Sequence, residues 1–198
     1  MVPLSNLGRW DKQYIGATEP HAYGANDTYR LAAEFTRDCA IVEDWGCGHA
    51  WLRRFVDEFG AGRYVGIDGS HSPFADVIAD ITTYRSATPP DAICLRGVLE
   101  HNDEWTLVLD NAVATARRKL FITLFLPPQL QTSVSFREPD YDDAPVIGFR
   151  LEDLTDRIVP PFTSLDVETL QVHDFDPSSP WADVFTETVI RCERSLTL

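Results

Sequence analysis

The chain has 198 residues, of which 44% are hydrophobic and 24% charged, so it has the composition of a folded globular protein and not of a disordered chain. Its 17 Lys and Arg against 31 Asp and Glu give a net charge of −14, and a field of that sign disfavours broad nucleic-acid binding. The longest strongly apolar stretch, 120–126, is far shorter than the ~20 residues that span a bilayer.

The first half of the chain predicts strands that alternate with helices. After an N-terminal segment without a clear period, Asn26 or Asp27 is suited to cap a helix that runs through Phe35. A short apolar run over 40–42 leads into an acidic and then a glycine-rich segment, and apolar residues recur at helical spacing over 52–59. This part of the sequence therefore predicts a strand, a glycine turn and a helix.

Four further apolar runs predict strands over 64–68, 77–80, 92–95 and 120–126. A helix over 105–116 is predicted before the last of these runs, and Pro127 and Pro128 stop that strand. Buried strands that alternate with amphipathic helices indicate a parallel sheet covered on both faces.

The last third of the chain has a different pattern. Residues 127–149 predict a long connection rich in Pro, Asp and Gln, and loops of that length are usually functional or mobile. A short helix is predicted over 151–159, and strands over 164–172 and 184–192. The segment 173–183 between those strands is too short for a crossover helix, so they are expected to pair antiparallel.

Two glycines lie between the first strand and its helix. A turn with Gly46 and Gly48 lets a ligand approach the backbone at the sheet edge where α/β proteins bind ligands, although such a turn also occurs for purely structural reasons. Asp68 ends the next strand, where an acid can accept hydrogen bonds from both ribose hydroxyls. A dinucleotide is disfavoured, because bulky Trp51 occupies a position that needs a small residue and Asp44 would lie near the pyrophosphate. A nucleoside that carries an ammonium group and no phosphate fits better.

Four motifs in the expected order carry a resemblance to a known family. Residues 41–50 resemble the first motif of the class I S-adenosylmethionine-dependent methyltransferases, with Ala50 in place of a third glycine. Residues 65–70, 79–81 and 91–101 are similar to the second, third and fourth motifs, the last with the ending Leu-Glu-His of small-molecule branches. The resemblance covers about 40–195. It implies a single α/β domain over 1–198 with a Rossmann-like, doubly wound, seven-stranded sheet that is mostly parallel and has one antiparallel C-terminal strand.

The resemblance also implies S-adenosylmethionine as cofactor and assigns roles to matching residues. Asp44 would lie near the ammonium group, Asp68 would hold the ribose hydroxyls, and Asp80 would accept from the adenine amino group. Simple solvation of a strand end is the alternative for Asp68 and Asp80, and a surface ion pair is the alternative for Arg96, which otherwise lines the methyl-transfer side. The full predicted set of cofactor-binding residues is Asp44, Gly46, Cys47, Gly48, Asp68, Gly69, Asp80, Ile81 and Arg96.

The predicted reaction is methyl transfer to an oxygen or nitrogen of a small-molecule, lipid-linked or glycan acceptor. His101 follows the fourth strand and is the candidate general base, with a structural hydrogen bond as its alternative role; Glu100 is a weaker candidate. The histidines show no metal-ligand spacing, so no metal is predicted. A nucleic-acid substrate is disfavoured for two reasons. The Asn- or Asp-Pro-Pro-aromatic motif of amino-methylating nucleic-acid enzymes does not follow the fourth strand. Methylation of a cytosine carbon needs a nucleophilic cysteine in a Pro-Cys setting, whereas Cys94 lies inside that strand.

Two segments are expected to cover the site: the N-terminal helical or lid segment 1–38 and the substrate-side loop 127–149. Their aromatic residues are candidates for walling the acceptor or for ordinary core packing: Trp10, Tyr14, Tyr23, Tyr29, Phe136, Tyr141 and Phe149. A non-catalytic cofactor- or partner-binding domain and a nicotinamide-dependent oxidoreductase stay open as alternatives. The four scattered cysteines predict free thiols, and with no signal-peptide pattern at the N-terminus they predict a cytoplasmic protein.

Overall fold

The computed structural model describes residues 7–22, 26–171 and 186–195. The helices are α1 (Asp11–Tyr14), α2 (Asn26–Thr36), α3 (Leu52–Phe59), α4 (Trp105–Thr115) and α5 (Leu151–Ile158). The strands are β1 (Ile41–Trp45), β2 (Arg63–Asp68), β3 (Val77–Ile78), β4 (Ala92–Arg96), β5 (Lys119–Leu124), β6 (Ser133–Glu138), β7 (Ala144–Gly148), β8 (Ser164–Gln171) and β9 (Thr186–Glu193). Short 3₁₀ helices cover Leu99–His101 and Pro139–Tyr141.

Seven of the strands form one sheet in the order β3-β2-β1-β4-β5-β9-β8. The pairs among β1 to β5 are parallel, and β9 lies antiparallel between β5 and β8. The predicted α/β sheet, with one antiparallel strand near the C-terminus, is confirmed. The predicted connection 173–183 and Tyr23 lie outside the described residues.

Helices cover both faces of the sheet, as the alternation within its central strands requires. On β5, Leu120 and Ile122 belong to the core cluster that holds α4 and α5, whereas Phe121 belongs to the cluster that holds α2 and α3. Ile93 and Cys94 on β4 divide between the same two clusters. The strands β4 and β5 are buried along their whole length, so the sheet is doubly wound as predicted.

The predicted long connection over 127–149 is wrong in its secondary structure. It contains an antiparallel hairpin in which β6 pairs with β7, with an irregularity between Val134 and Phe136. Every residue of β7 is buried, whereas most of β6 is exposed. The sequence does not predict this hairpin because Pro145 lies inside β7, and a proline argues against a strand unless the strand is at the edge of a sheet. A two-stranded sheet consists of edges only, so the proline is accommodated.

The four cysteines are free and buried. Burial raises the pKa of Cys192 to about 12 and that of Cys39 to about 11, so these thiols stay protonated at neutral pH. Among the described residues, no helix combines the length and the apolarity needed to cross a membrane.

Candidate functional site

A cavity of about 160 Å³ lies at the carboxyl edge of the parallel sheet, beyond the ends of β1, β2 and β4. This edge is where open α/β sheets bind ligands. The structure brings together here most of the residues that the sequence singles out. Those that line the cavity are Gly46, Gly48, Asp68, Gly69, Ile81, Arg96 and His101.

The turn after β1 has a backbone shape that depends on glycine. Gly46 and Gly48 have φ angles of +73° and +55°, in the left-handed region that side chains disfavour. A Cβ atom on Gly46 would lie 2.6 Å from the Val98 side chain, so this position also lacks space for one. Ala50, which replaces the third glycine of the motif, adopts φ +53° as well. The turn therefore keeps its glycine-like shape at all three positions.

The carboxylate of Asp68 holds this turn against the end of β2. Its Oδ2 accepts a hydrogen bond from the backbone N–H of Gly48 and its Oδ1 accepts one from that of Ser70, both at 2.8 Å. Asp68 is buried, and burial raises the pKa of its carboxyl group despite these two hydrogen bonds. The side chain thus lies on the cavity wall in contact with the glycine turn and is not turned out into solvent.

Three of the predicted cofactor-binding residues lie beside the cavity and not on its wall. Asp44 is buried within β1, where its Oδ2 accepts a hydrogen bond from the hydroxyl of Tyr64 at 2.7 Å, and burial raises its pKa to about 6. Asp80 turns its Oδ1 to the backbone N–H and the hydroxyl of Thr82, at 2.9 and 2.7 Å. Cys47 is buried with its thiol in the core. Their roles toward a ligand stay predictions.

Arg96 ends β4 and is fixed by neighbours on both sides. Its guanidinium lies 3.6 Å above the centre of the Tyr29 ring, donates to the Thr28 hydroxyl at 2.8 Å and pairs with the Glu187 carboxylate at 3.3 Å. Both charged side chains are almost fully buried, at 5% and 1% exposure. The ion pair is therefore interior and not the surface pair that the sequence left open, and Arg96 still lines the cavity.

His101 ends the 3₁₀ helix that follows β4, and its ring is oriented by the hairpin. Its Nδ1 lies 3.2 Å from the carbonyl oxygen of Pro145, so this nitrogen donates and carries the ring proton. Burial is the main reason that the pKa of His101 is lowered to about 4; the hydrogen bond to Pro145 opposes this shift, and the nearby guanidinium of Arg9 acts in the same direction as burial. The ring is therefore neutral at physiological pH. The other nitrogen, Nε2, has no hydrogen-bond partner in the described part of the chain.

Several solved structures have a similar fold. Burkholderia thailandensis 1,6-didemethyltoxoflavin-N1-methyltransferase, solved with 1,6-didemethyltoxoflavin and S-adenosylhomocysteine, matches with a TM-score of 0.63 at 16% identity over 84% of this chain and 78% of its own. The N-methyltransferase NodS of Bradyrhizobium japonicum, solved with S-adenosylhomocysteine, gives 0.59 at 14% identity over 96% and 99%. The [4+2]-cyclase SpnF gives 0.62 at 15% identity over 92% and 90%. No protein-family model and no curated protein matches the chain.

This chain has the class I methyltransferase fold. The strand order, the single antiparallel strand and the glycine turn at the cavity are the features on which that assignment depends. Likeness at 10–16% identity establishes the fold, whereas activity must be argued from the site itself.

The methyltransferase fold here is closed by an N-terminal segment that the sequence indicates only through its aromatic residues. Trp10, Gln13 and Tyr14 line the cavity together with Asn102, which follows the 3₁₀ helix, and Phe125, which follows β5. No motif marks Gln13, Asn102 or Phe125. Their place in the site follows from how distant segments pack, so no local signal identifies them.

Backbone contacts fasten this segment across the cavity. The N–H of Gly8 donates to the carbonyl of Gly69 at 2.7 Å, and the N–H of Trp10 donates to the Ser70 hydroxyl at 2.9 Å. On the other side, a guanidinium nitrogen of Arg9 donates to the His101 carbonyl at 3.1 Å. The segment therefore connects the end of β2 with the 3₁₀ helix after β4, and it forms one wall of the cavity.

Glu100 precedes His101 and is buried, and none of the described Lys or Arg side chains forms an ion pair with it. Its Oε1 accepts a hydrogen bond from the backbone N–H of Phe125 at 2.5 Å, while Oε2 has no partner among the described residues. Burial raises its pKa from 4.5 to about 8. The native protein thus keeps a proton on Glu100 at neutral pH, where the unfolded chain has lost it.

A pH dependence of stability follows from this difference. Because the folded pKa is raised, the stabilisation from the protonated Glu100 is present at low pH and is lost as pH rises from about 4.5 to about 8. Glu100→Gln keeps the acceptor for Phe125 and cannot ionise. The variant is therefore expected to gain stability relative to the wild type between pH 5 and 8, at about 1.4 kcal/mol per unit of pKa difference. Urea unfolding at several pH values measures this difference in the free energy of unfolding, with the exposed Glu168→Gln as control. A difference between Glu100→Gln and the wild type that does not change with pH contradicts the raised pKa of Glu100.

Proposed function

We propose that the protein is an S-adenosylmethionine-dependent methyltransferase that acts on an oxygen or nitrogen atom of a small molecule. The observation that carries this proposal is the convergence, on one cavity, of the glycine turn, the carboxylate of Asp68 and the neutral ring of His101. A glycine backbone and a diol-binding acid suit a nucleoside, and a base within the same cavity suits an acceptor that must lose a proton.

The residues on the cavity wall fit the cofactor in chemistry. When bound, S-adenosylmethionine would supply a methyl group attached to a sulfonium sulfur. The lone pair of the acceptor bonds the methyl carbon, the carbon–sulfur bond breaks, and the sulfur leaves as a neutral thioether. Gly46 and Gly48 would let the methionine portion of the cofactor approach their backbone. Asp68 would accept hydrogen bonds from the ribose hydroxyls, and the side chain of Ile81 would offer an apolar surface to the adenine ring. Asp44 would contribute its negative charge from behind the turn, because Tyr64 already occupies one of its oxygens.

The cavity volume sets a condition on this fit. About 160 Å³ is less than the ~300–1,000 Å³ of ordinary ligand sites. The N-terminal wall, with Trp10 and Tyr14, is a separate segment joined to the sheet edge by hydrogen bonds such as those of Gly8 and Trp10, whereas the opposite wall is part of the sheet itself. We infer that the N-terminal segment moves outward when the cofactor enters and returns over it.

The acceptor would meet a surface that is aromatic on one side. The Trp10 ring lies 5.2 Å from the His101 ring and 4.6 Å from the Tyr141 ring, measured between centroids, and Phe125 lines the same space. Such walls favour a flat or apolar acceptor over a charged polymer. The net charge of −14 also disfavours a nucleic-acid acceptor. Four buried free thiols suit a reducing compartment, and we place the protein in the cytoplasm.

Calorimetric titration with S-adenosylhomocysteine tests the first half of the proposal. We expect saturable binding at micromolar concentrations, and no binding at millimolar concentrations would refute the proposed cofactor. NAD in a parallel thermal-shift series distinguishes a nicotinamide enzyme, because only the methyltransferase assignment predicts a shift with the thioether alone. The similar fold of a [4+2]-cyclase means that binding does not by itself establish methyl transfer. Mass spectrometry of a panel of phenols and amines incubated with S-adenosylmethionine supplies that second test.

A further inference from the structure

The hairpin of β6 and β7 brings two acceptor oxygens to one edge of the His101 ring. The carbonyl oxygen of Pro145 lies 3.2 Å from Nδ1, and Oε2 of Glu138 lies 3.5 Å from the same nitrogen. Glu138 is the last residue of β6 and pairs with Ala144, the neighbour of Pro145 on β7. Both oxygens therefore come from the closed end of one hairpin, which packs against the 3₁₀ helix that bears His101.

The carboxylate of Glu138 has little solvent around it and, within the described residues, no Lys or Arg within 4 Å. Its side chain is 16% exposed, and Oε2 forms no hydrogen bond to the part of the chain that the structure describes. The neighbouring arginines are engaged with Asp103: Arg137 lies 2.6 Å from its carboxylate, and Arg9 lies 3.9 Å from it. A carboxylate removed from water is costly unless a donor compensates it. Among the described residues, the cation-forming side chain that lies within 4 Å of Oε2 is His101, whose Nδ1 is placed to do so.

We propose that Glu138 is a positioning residue that holds the ring proton of His101 on Nδ1, so that Nε2 keeps its lone pair toward the cavity. This inference rests on the proposed function. When Nε2 takes the proton that leaves the acceptor, the ring gains one positive charge, which spreads to Nδ1–H beside the Glu138 carboxylate. Orientation of a base and stabilisation of its charged form by a carboxylate is the arrangement found in hydrolytic triads. Here the hairpin supplies the carboxylate.

The position of the ring proton is measured directly by ¹⁵N NMR of the histidine side chains in the full chain at pH 7.5. The His101 signals are assigned by comparison with the spectrum of His101→Gln. In the wild type we expect the Nδ1–H form to dominate. In Glu138→Gln the ratio of the Nδ1–H form to the Nε2–H form should fall about tenfold, because the negative charge 3.5 Å from Nδ1 is replaced by a neutral amide and only the Pro145 carbonyl still favours a proton on Nδ1. An unchanged ratio overturns the proposal.

Two further variants separate this role from a general effect on the hairpin. Glu168→Gln makes the same chemical change on exposed β8 and should leave the ratio unchanged. Glu138→Asp keeps the charge at a shorter reach and should retain most of the Nδ1–H form, and it serves as the test if Glu138→Gln does not fold. A loss of Nδ1–H in Glu138→Asp as large as in Glu138→Gln would overturn the assignment to the carboxylate charge.

The failure of this proposal and that of the proposed function are distinguishable. The NMR measurement needs neither cofactor nor acceptor, whereas the calorimetric titration with S-adenosylhomocysteine does not depend on Glu138. Binding with an unchanged tautomer ratio refutes only the role of Glu138. A changed ratio without binding refutes methyl transfer and, with it, the catalytic use of the pair.

Discussion

Asp68→Asn is expected to weaken the binding of S-adenosylhomocysteine about 100-fold in a calorimetric titration. Hydrogen bonds to a charged group contribute about 1.5–3 kcal/mol each, and the variant loses the charge that would accept from the ribose hydroxyls. The asparagine NH₂ group would also face one of the backbone N–H groups of Gly48 and Ser70 that now donate to the carboxylate. The glycine turn therefore loosens in the same variant, and both effects reduce affinity.

Asp76→Asn is the matched control for the structural part of that effect. Its Oδ2 accepts a hydrogen bond from the backbone N–H of Gly66 at 2.8 Å and pairs with Arg53, but it does not line the cavity. This control should lose stability without losing affinity for S-adenosylhomocysteine. If Asp68→Asn folds and binds within about threefold of the wild type, a difference of under ~1 kcal/mol, the assignment of Asp68 to the ribose is wrong.

Much of the fold is predictable from the sequence because each central strand is buried on both faces. Such strands are continuous apolar runs, as in β4 and β5, and the amphipathic helices between them follow a different period. The hairpin is not predictable in this way. Its strand β6 is mostly exposed, and β7 contains Pro145, so neither has the signal of a buried strand. The packing of β7 against the 3₁₀ helix and of Ile147 into the main core explains why it forms.

The candidate site is predictable where the chemistry depends on neighbours in sequence. The turn at Gly46 and the acid at Asp68 are local features at strand ends, and the structure places both on the cavity. The hydrogen bond of Asp44 is not predictable in this way, because its partner Tyr64 lies on the adjacent strand and only the pairing of β1 with β2 brings the two together. The position of the Glu138 carboxylate near His101 is even less predictable, since it depends on a hairpin that the sequence does not indicate.

His101→Gln is expected to lower methyl transfer by about 10²- to 10⁴-fold, the usual contribution of a general base. Glutamine can still donate to the Pro145 carbonyl but cannot take a proton from the acceptor. Affinity for S-adenosylhomocysteine should be retained, because the glycine turn and Asp68 are unchanged. The measurement is the rate of S-adenosylhomocysteine release at saturating cofactor, with an acceptor identified in the panel of phenols and amines.

The pH profile and a control variant decide whether His101 acts as a base in that loss. A base must be neutral to work, so activity should rise as pH increases through the pKa of His101, about 4, and should not depend on this group from pH 6 upward. His71→Gln, at an exposed position, should leave the rate unchanged. If His101→Gln keeps the wild-type rate with a phenolic acceptor, the ring has only a structural role. If the rate falls with a phenol but not with an amine that is already deprotonated, proton removal is the step that His101 serves.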